Sequence, residues 1–364
     1  MFIIDEVNNH VNYMNTINSL AYDRPRFFMK SHRIFFLAAQ KIINMTNDIV
    51  VGIPRGLLYS KYHRFAESFF QSLGLHIVVS PLTNKQILDE GVKCCVDDAC
   101  LPVKVFHGHV SHLKDKCDYL LLPHFLSPEK GKTMCPLFCG LVEMIRHSIN
   151  NLPPLIDAPI HSFDDKQLKK WALQAGSVFT NSKSRIEAAL NVALENQRES
   201  ARTNTHENYD CRVALIGHSY IVDDQFINMN IIGKLNMLGV GVVTSKSVNR
   251  QDMHNETKHL YKTPFWYFAQ EHYGSAVSLY NRGLADGIIY LSAFCCGVDS
   301  VFCELVKHDI GAMPYMVLKL DEQTGEAALD TRIEAFTDML KRRLHYGHHV
   351  SPYGQHLPGC QSVL

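Results

Sequence analysis

No stretch of the sequence reaches the roughly eighteen uninterrupted apolar residues that a membrane span requires, so no membrane partner is expected. Charge of one sign is also missing: 36 Lys plus Arg balance 36 Asp plus Glu. That balance leaves no electrostatic reason to expect nucleic acid or an anionic membrane as the main partner. There is no P-loop, no GxGxxG after a strand and no GxSxG, so nothing in the chain itself is equipped to bind and hydrolyse ATP. Low-complexity tracts, short-period repeats and compact CxxC pairs are missing as well. The first residues, "MFIIDEVNNH", carry acids early and have no basic start followed by an apolar block. They do not read as a secretory signal, and a cytoplasmic location is expected.

What is present describes a globular protein with a sizeable core: 46% hydrophobic and 20% charged residues. A length of 364 residues predicts two domains. The 20 histidines are scattered and are expected mainly on the surface and in turns. The 11 cysteines are the unusual feature. A reducing cytosol keeps thiols free, and an odd count at irregular spacing argues against a disulfide framework.

Residues 1–47 are mixed polar and aromatic and are set apart as an N-terminal extension. Residues 48–205 form a first α/β lobe. "DIVVGIPRG" and "LHIVVSP" read as strands, and the segment between them has helical spacing and stops at Gly74. "TNKQILDEGVKCC" opens with a Thr or Asn cap before a further helix, while "CDYLLLPHF" and "PPLIDAPI" read as strands. Residues 184 to about 208 read as a helix running into a polar linker. Residues 206–343 repeat the alternation, with strands at "CRVALIGHSY", "VGVVTSK", "DGIIYLSAF" and "AMPYMVLKLD". A tail, 344–364, follows. Strands alternating with helices predict parallel βαβ units, and two α/β lobes with parallel sheets is the economical reading.

Ligands in parallel α/β sheets collect in loops at the carboxyl ends of strands. Sorted by that rule, Cys296 lies at a strand-to-helix turn, Cys135 in the loop region after "YLLLP", and Cys100 in "DDACLPVK" just before a helix. A helix N-terminus favours thiolate, and backbone N–H groups there can donate to cluster sulfur. Three thiolates suit a soft metal site such as an iron–sulfur cluster, whereas a closed zinc site wants a fourth Cys or His. For any one cysteine the competing reading is plain packing. Cys94, Cys117, Cys211 and Cys303 fit it well, and Cys95, Cys139 and Cys295 are packing residues or additional ligands. Arg55 in "VGIPRG" and the pair His218 and Asp223 in "IGHSYIVDD" are candidate anion or cleft contacts. A solvated arginine and an Asp-capped turn are the plainer alternatives. Asp321, Glu322 and Glu326 in "LDEQTGE" read as helix-capping acids.

The ordered motifs "GIPRGLLYSKY", "SPLTNKQILDEGVK", "DDACLPVKVFHGHV", "CDYLLLPHFLS", "MCPLFCGL", "LIGHSYIVDDQFINM", "AFCCGVDSVFCEL" and "LDEQTGEAALDTRIEAFTDML" resemble the acyl-CoA dehydratase activase-related family, a relative of the 2-hydroxyacyl-CoA and 2-hydroxyglutaryl-CoA dehydratase subunits. The resemblance runs from about residue 50 to residue 342. It implies Rossmann-like or flavodoxin-like lobes with a [4Fe–4S] or related cluster in the cleft between them. It also implies an ATP-dependent activase partner with its own iron–sulfur cluster, which drives low-potential electrons into that site. A related dehydratase subunit and an acyl-CoA substrate are further implied partners, in an anaerobic setting. Carried over by position, the ligands are Cys100, Cys135 and Cys296. If the group is a double-cubane cluster, Cys95, Cys139 and Cys295 join them. The family pattern usually has Gly before Cys296 and Gly-Pro-Asp after it; here Cys295 and Val298 fill two of those places. Ser219 stands where Pro is common, and Ala328 where Gly is common. The alternative from a different class is a non-catalytic scaffold or partner protein whose cysteines are structural or hold zinc.

Overall fold

A computed structural model describes residues 48–199, apart from 128, 130 and 163, and residues 209–346. The N-terminal extension, the linker up to residue 208 and the tail beyond 346 lie outside the described residues, as does Cys360. The chain opens with strand β1 (Val50–Ile53), helix α1 (Tyr59–Ser72), strand β2 (His76–Val79), and helices α2 (Lys85–Cys94) and α3 (Leu101–Leu113). Strands β3 (Tyr119–Leu121) and β4 (His124–Phe125) follow, then helices α4 (Pro136–Cys139) and α5 (Leu141–Ser148). The first half ends with β5 (Leu155–Ile156), β6 (Pro159–Ile160), α6 (Asp165–Gly176) and α7 (Lys183–Glu199).

The second half runs β7 (Arg212–Gly217), α8 (Ser219–Val222), α9 (Ile231–Met237), β8 (Gly241–Thr244), α10 (Arg250–Glu256), α11 (Tyr267–Asn281), β9 (Gly287–Ala293), α12 (Gly297–Asp309), β10 (Tyr315–Leu320) and α13 (Glu326–Tyr346).

The strands assemble into two parallel four-stranded sheets, β2-β1-β3-β5 and β10-β9-β7-β8. Numbered within its own half, each sheet has the order 2-1-3-4, the order found in flavodoxin-like folds. The mixed α/β, two-lobed expectation therefore holds. Helices cover both faces, which is why the strands read as apolar runs rather than alternating ones; all seven residues of β9 are buried. In α1 the buried side chains Tyr62, Phe65, Ala66, Phe69 and Phe70 fall at helical spacing. The chain leaves that helix through Gly74 at φ 86°. The cap of α2 is Asn84, whose side chain accepts from the Ile87 N–H at 3.1 Å. "CDYLLLPHF" is not one strand. Pro123 lacks the N–H that would continue a ladder, so the ladder stops after β3 and resumes as the short β4–β6 pair.

Helix α3 sits between the two halves. Val103, Phe106, Val110 and Leu113 join the core of the first sheet, while Leu101 and Val105 join that of the second. A helix buried on all sides is apolar all round, and α3 has eleven of its residues buried, Lys104 among them. The Lys104 ammonium meets Glu322 Oε1 at 2.6 Å, so this acid closes an ion pair between the halves. The pairing of α2 with α3 depends on two glycines. A Cβ at Gly91 would lie 1.9 Å from the Lys104 carbonyl oxygen, and one at Gly108 would lie 1.9 Å from that of Ile87.

These contacts are with backbone, which cannot swing aside. Gly91→Ala or Gly108→Ala should therefore lose about 1–3 kcal/mol or more of stability by overpacking. Gly325→Ala, where an added Cβ meets nothing within 4 Å, should be close to neutral. Thermal melts of the three variants check this; equal midpoints would contradict the packing described.

Candidate functional site

The three cysteines selected from the sequence occupy the same local position. Cys100 is the N-cap of α3, Cys135 of α4 and Cys296 of α12, each with extended backbone at the cap. Proline at the second position of α3 and the first of α4 presets the helical φ of those first turns. The strand-end rule holds for Cys296, which follows β9 by a tight turn. It does not describe Cys100, which lies between two helices because the β2-to-β3 crossover carries α2 as well as α3. The helix N–H groups of Val103, of Phe138 and Leu137, and of Asp299 act on the sulfurs of Cys100, Cys135 and Cys296 respectively, favouring thiolate. None of the three closes a full capping hydrogen bond.

Burial is nevertheless the larger influence. It pushes the Cys100 thiol up to about 11, raises that of Cys135, and, with Asp299 beside it, pushes that of Cys296 up to about 12. The sulfurs also act on one another: Cys135 raises Cys100, and both Cys100 and Cys135 raise Cys296. Tyr220 stands among them. Its hydroxyl is raised first by burial and then by Cys100, Cys135, Asp299 and Cys296. Residues from both sheets thus converge on one partly buried space.

The other cysteines are placed differently. Cys95 ends α2 and adds to the raised thiol of Cys100. Cys139 lies one turn after Cys135, with its sulfur 3.9 Å from the carbonyls of Leu126 and Met134. Cys295 is exposed and takes φ 67°, a left-handed conformation that glycine adopts without steric cost. That is the physical sense of a family pattern with Gly at this place. Cys94, Cys117 and Cys303 hydrogen-bond to carbonyls of Gly91, Leu113 and Ser300, and Cys211 is buried.

His218 and Asp223 are not brought together. The Asp223 carboxylate meets Lys246 at 2.7 Å, whereas His218 Nε2 lies 3.4 Å from Asp299 Oδ1. His218 follows β7 directly after Gly217, whose φ of 154° brings the chain so close to β9 that a Cβ would lie 2.4 Å from the Leu291 carbonyl oxygen. Asp299 also receives the Tyr290 hydroxyl at 3.1 Å, with His272 Nδ1 at 3.6 Å. Burial alone would raise the Asp299 carboxyl; His218 and His272 hold it well below the ordinary carboxylate range. Sequence reading missed Asp299 and His272. The one available signal was the Asp of the "CCGVD" segment, and an acid in a first helical turn ordinarily reads as a cap.

Arg55 is engaged with the protein itself. Its Nε donates to the Ser80 carbonyl at 2.7 Å, and its guanidinium lies over the Tyr59 ring. Beside it the buried His109 ring bridges Ser80 Oγ at 2.9 Å and Thr83 Oγ1 at 3.1 Å. Thr83 in turn bonds Asp224, from the second half. An apolar cavity of about 380 Å³ is lined by Leu58, Tyr62, Phe65, Met134, Trp171 and Phe268, so it adjoins Cys135 through Met134.

Burial, followed by Arg55 and His112, depresses His109 to about 3. An unfolded histidine titrates near 6.5, so between about 6.5 and 3 only the unfolded chain holds that proton. Stability from this group is full above 6.5 and is lost as pH falls. His109→Asn should remove about 1.4 kcal/mol per pH unit from the slope of stability between pH 6 and pH 4. Denaturant midpoints across that range measure it, and an unchanged slope would contradict the assignment.

No curated protein matches the chain. A family model described as "CoA enzyme activase uncharacterised domain" matches residues 50–248. That span starts at β1, includes Cys100, Cys135, Arg55 and His218, and stops after β8. Because it covers more than half of the chain's 364 residues, this protein belongs to the CoA enzyme activase uncharacterised domain family.

Proposed function

We propose that this chain is an iron–sulfur protein, with Cys100, Cys135 and Cys296 as thiolate ligands of a [4Fe–4S] cluster, which accepts low-potential electrons from an ATP-dependent activase. What carries this reading is that Cys100, Cys135 and Cys296, from both halves of the molecule, each cap a helix N-terminus with extended backbone and lie close enough to act on one another's charge. Packing cysteines have no reason to share one space at equivalent helix positions. The donor set also suits the group: thiolates hold iron–sulfur clusters, and three of them leave one iron with an exchangeable position. Cys95 and Cys139 lie beside the first and second ligands, so a double-cubane cluster would draw on them, with Cys295 next to the third.

The protein's own residues have definable tasks. The three caps present sulfur where helix N–H groups favour its charged form, and hydrogen bonds to sulfur tune a cluster's potential. Tyr220, buried beside the cysteines, packs its ring against that of Phe138 with centroids 5.7 Å apart. Phe294, exposed next to Cys295, gives an electron-donating partner an apolar point of approach. The cavity beside Met134 is of a size and polarity to take the acyl portion of an acyl-CoA. When bound and reduced, a cluster of this kind supplies an electron for radical dehydration of a 2-hydroxyacyl-CoA or another difficult reduction.

Cys296→Ala, produced without oxygen, should lose most of its bound iron while keeping its far-ultraviolet circular dichroism. Cys117→Ala, whose thiol bonds a helix carbonyl, should keep its full iron. Iron content unchanged by the first substitution would sink the ligand assignment.

A further inference from the structure

The polar cluster next to the cysteines contains an unfilled valence of its own. His218, from the end of β7, His272, from α11, and Asp299, from α12, retain 7%, 1% and 0% of their exposure. One donor atom from each lies within 4.8 Å of the other two. Two ligands on one ion at about 2.1 Å stand at most about 4.2 Å apart, so small side-chain adjustments would bring all three onto a single cation.

Hydrogen bonding within the protein does not complete this group. The Tyr290 hydroxyl has one proton, which goes to Asp299 Oδ1 at 3.1 Å. The histidine contacts to that oxygen, at 3.4 Å and 3.6 Å, are long. His218 Nδ1, His272 Nε2 and Asp299 Oδ2 are all buried without a partner. Leaving buried polar atoms unpaired is unfavourable, and this incomplete pairing, together with the convergence of one donor atom from each side chain, points to a cation.

We propose that His218, His272 and Asp299 form a mononuclear site for a divalent transition metal, separate from the cysteine site. Two imidazoles and one carboxylate suit Fe²⁺, Zn²⁺ or Co²⁺. Mg²⁺ and Ca²⁺ prefer oxygen sets, and Cu⁺ prefers sulfur. Tyr290, 3.2 Å from His272 Nδ1 and bonded to Asp299, orients two of the three ligands from behind. With three protein ligands the ion keeps positions open, as catalytic rather than closed structural sites do.

The probe is Co²⁺, added under argon to chelator-treated, reduced protein and followed by visible absorption and equilibrium dialysis. Read in a Cys100→Ala/Cys135→Ala/Cys296→Ala variant, where the three thiols cannot take the probe, the expected result is one tightly bound Co²⁺ with weak visible bands and no thiolate charge-transfer band. His272→Gln and Asp299→Asn should weaken its binding by well over tenfold. Because those positions are buried and a variant can fail to fold, X-ray absorption on the Co²⁺-loaded cysteine variant, with both histidines and Asp299 intact, gives a second test: a first shell of nitrogen and oxygen only. No binding in the cysteine variant, or binding there that is undiminished when His272→Gln or Asp299→Asn is added, would overturn the site. Each of these results leaves the iron content of the cysteine site to be judged separately.

Discussion

The molecule depends on one helix being buried from both sides. Residues 101–113 carry no exposed stripe because their two apolar faces serve two cores, that of the first sheet through Val103 and Phe106 and that of the second through Leu101 and Val105. The only charge on the buried part of that helix, Lys104, is answered by Glu322 from the far end of the chain. Removing Glu322 would strand the buried Lys104 charge, at a cost of about 3–5 kcal/mol, whereas Glu322 is only half-buried. The contact at Gly91 and Gly108 brings α2 and α3 together at backbone distance. Because Cys100 caps this helix, the position of its sulfur relative to Cys296 follows from the packing of the two sheets rather than from any loop.

A consistent electrostatic pattern runs through the site. Helix N–H groups favour thiolate at each cysteine, while burial opposes it more strongly and raises all three thiols. A metal bound there would have to replace their protons, since metal binding and thiol deprotonation are linked. Asp299 touches both groups: its backbone N–H acts on the Cys296 sulfur, and its carboxylate Oδ1 lies 3.4 Å from His218 Nε2 and 3.6 Å from His272 Nδ1.

Much of the fold was legible because alternation of strand and helix is written locally. β-branched runs, the Asn84 cap and Gly74 each announce an element within a few residues. The turn at Cys296 was legible for the same reason. So were the two helices flanking Cys100, at "TNKQILDEGVKCC" and after "DDAC"; the break of "CDYLLLPHF" into two strands at Pro123 was not. Nor was the meeting of His218 with Asp299 in place of Asp223. A histidine's nearest acid in sequence is a poor guide when a strand order of 2-1-3-4 sets β7 beside β9 and carries their following loops to one edge. Glu322 read as a helix cap because its partner lies in the other half of the chain. Pairings made by topology leave no periodic trace.

The central claim is that three thiols from separate helices hold one iron–sulfur cluster. Iron and acid-labile sulfide per chain, with a visible spectrum, on protein prepared without oxygen, test it most directly. The account predicts about four irons with matching sulfide and a broad absorption that bleaches on reduction, or about eight for a double cubane. A colourless protein with no iron and no sulfide, even after reconstitution, would contradict it and leave a scaffold whose cysteines serve packing.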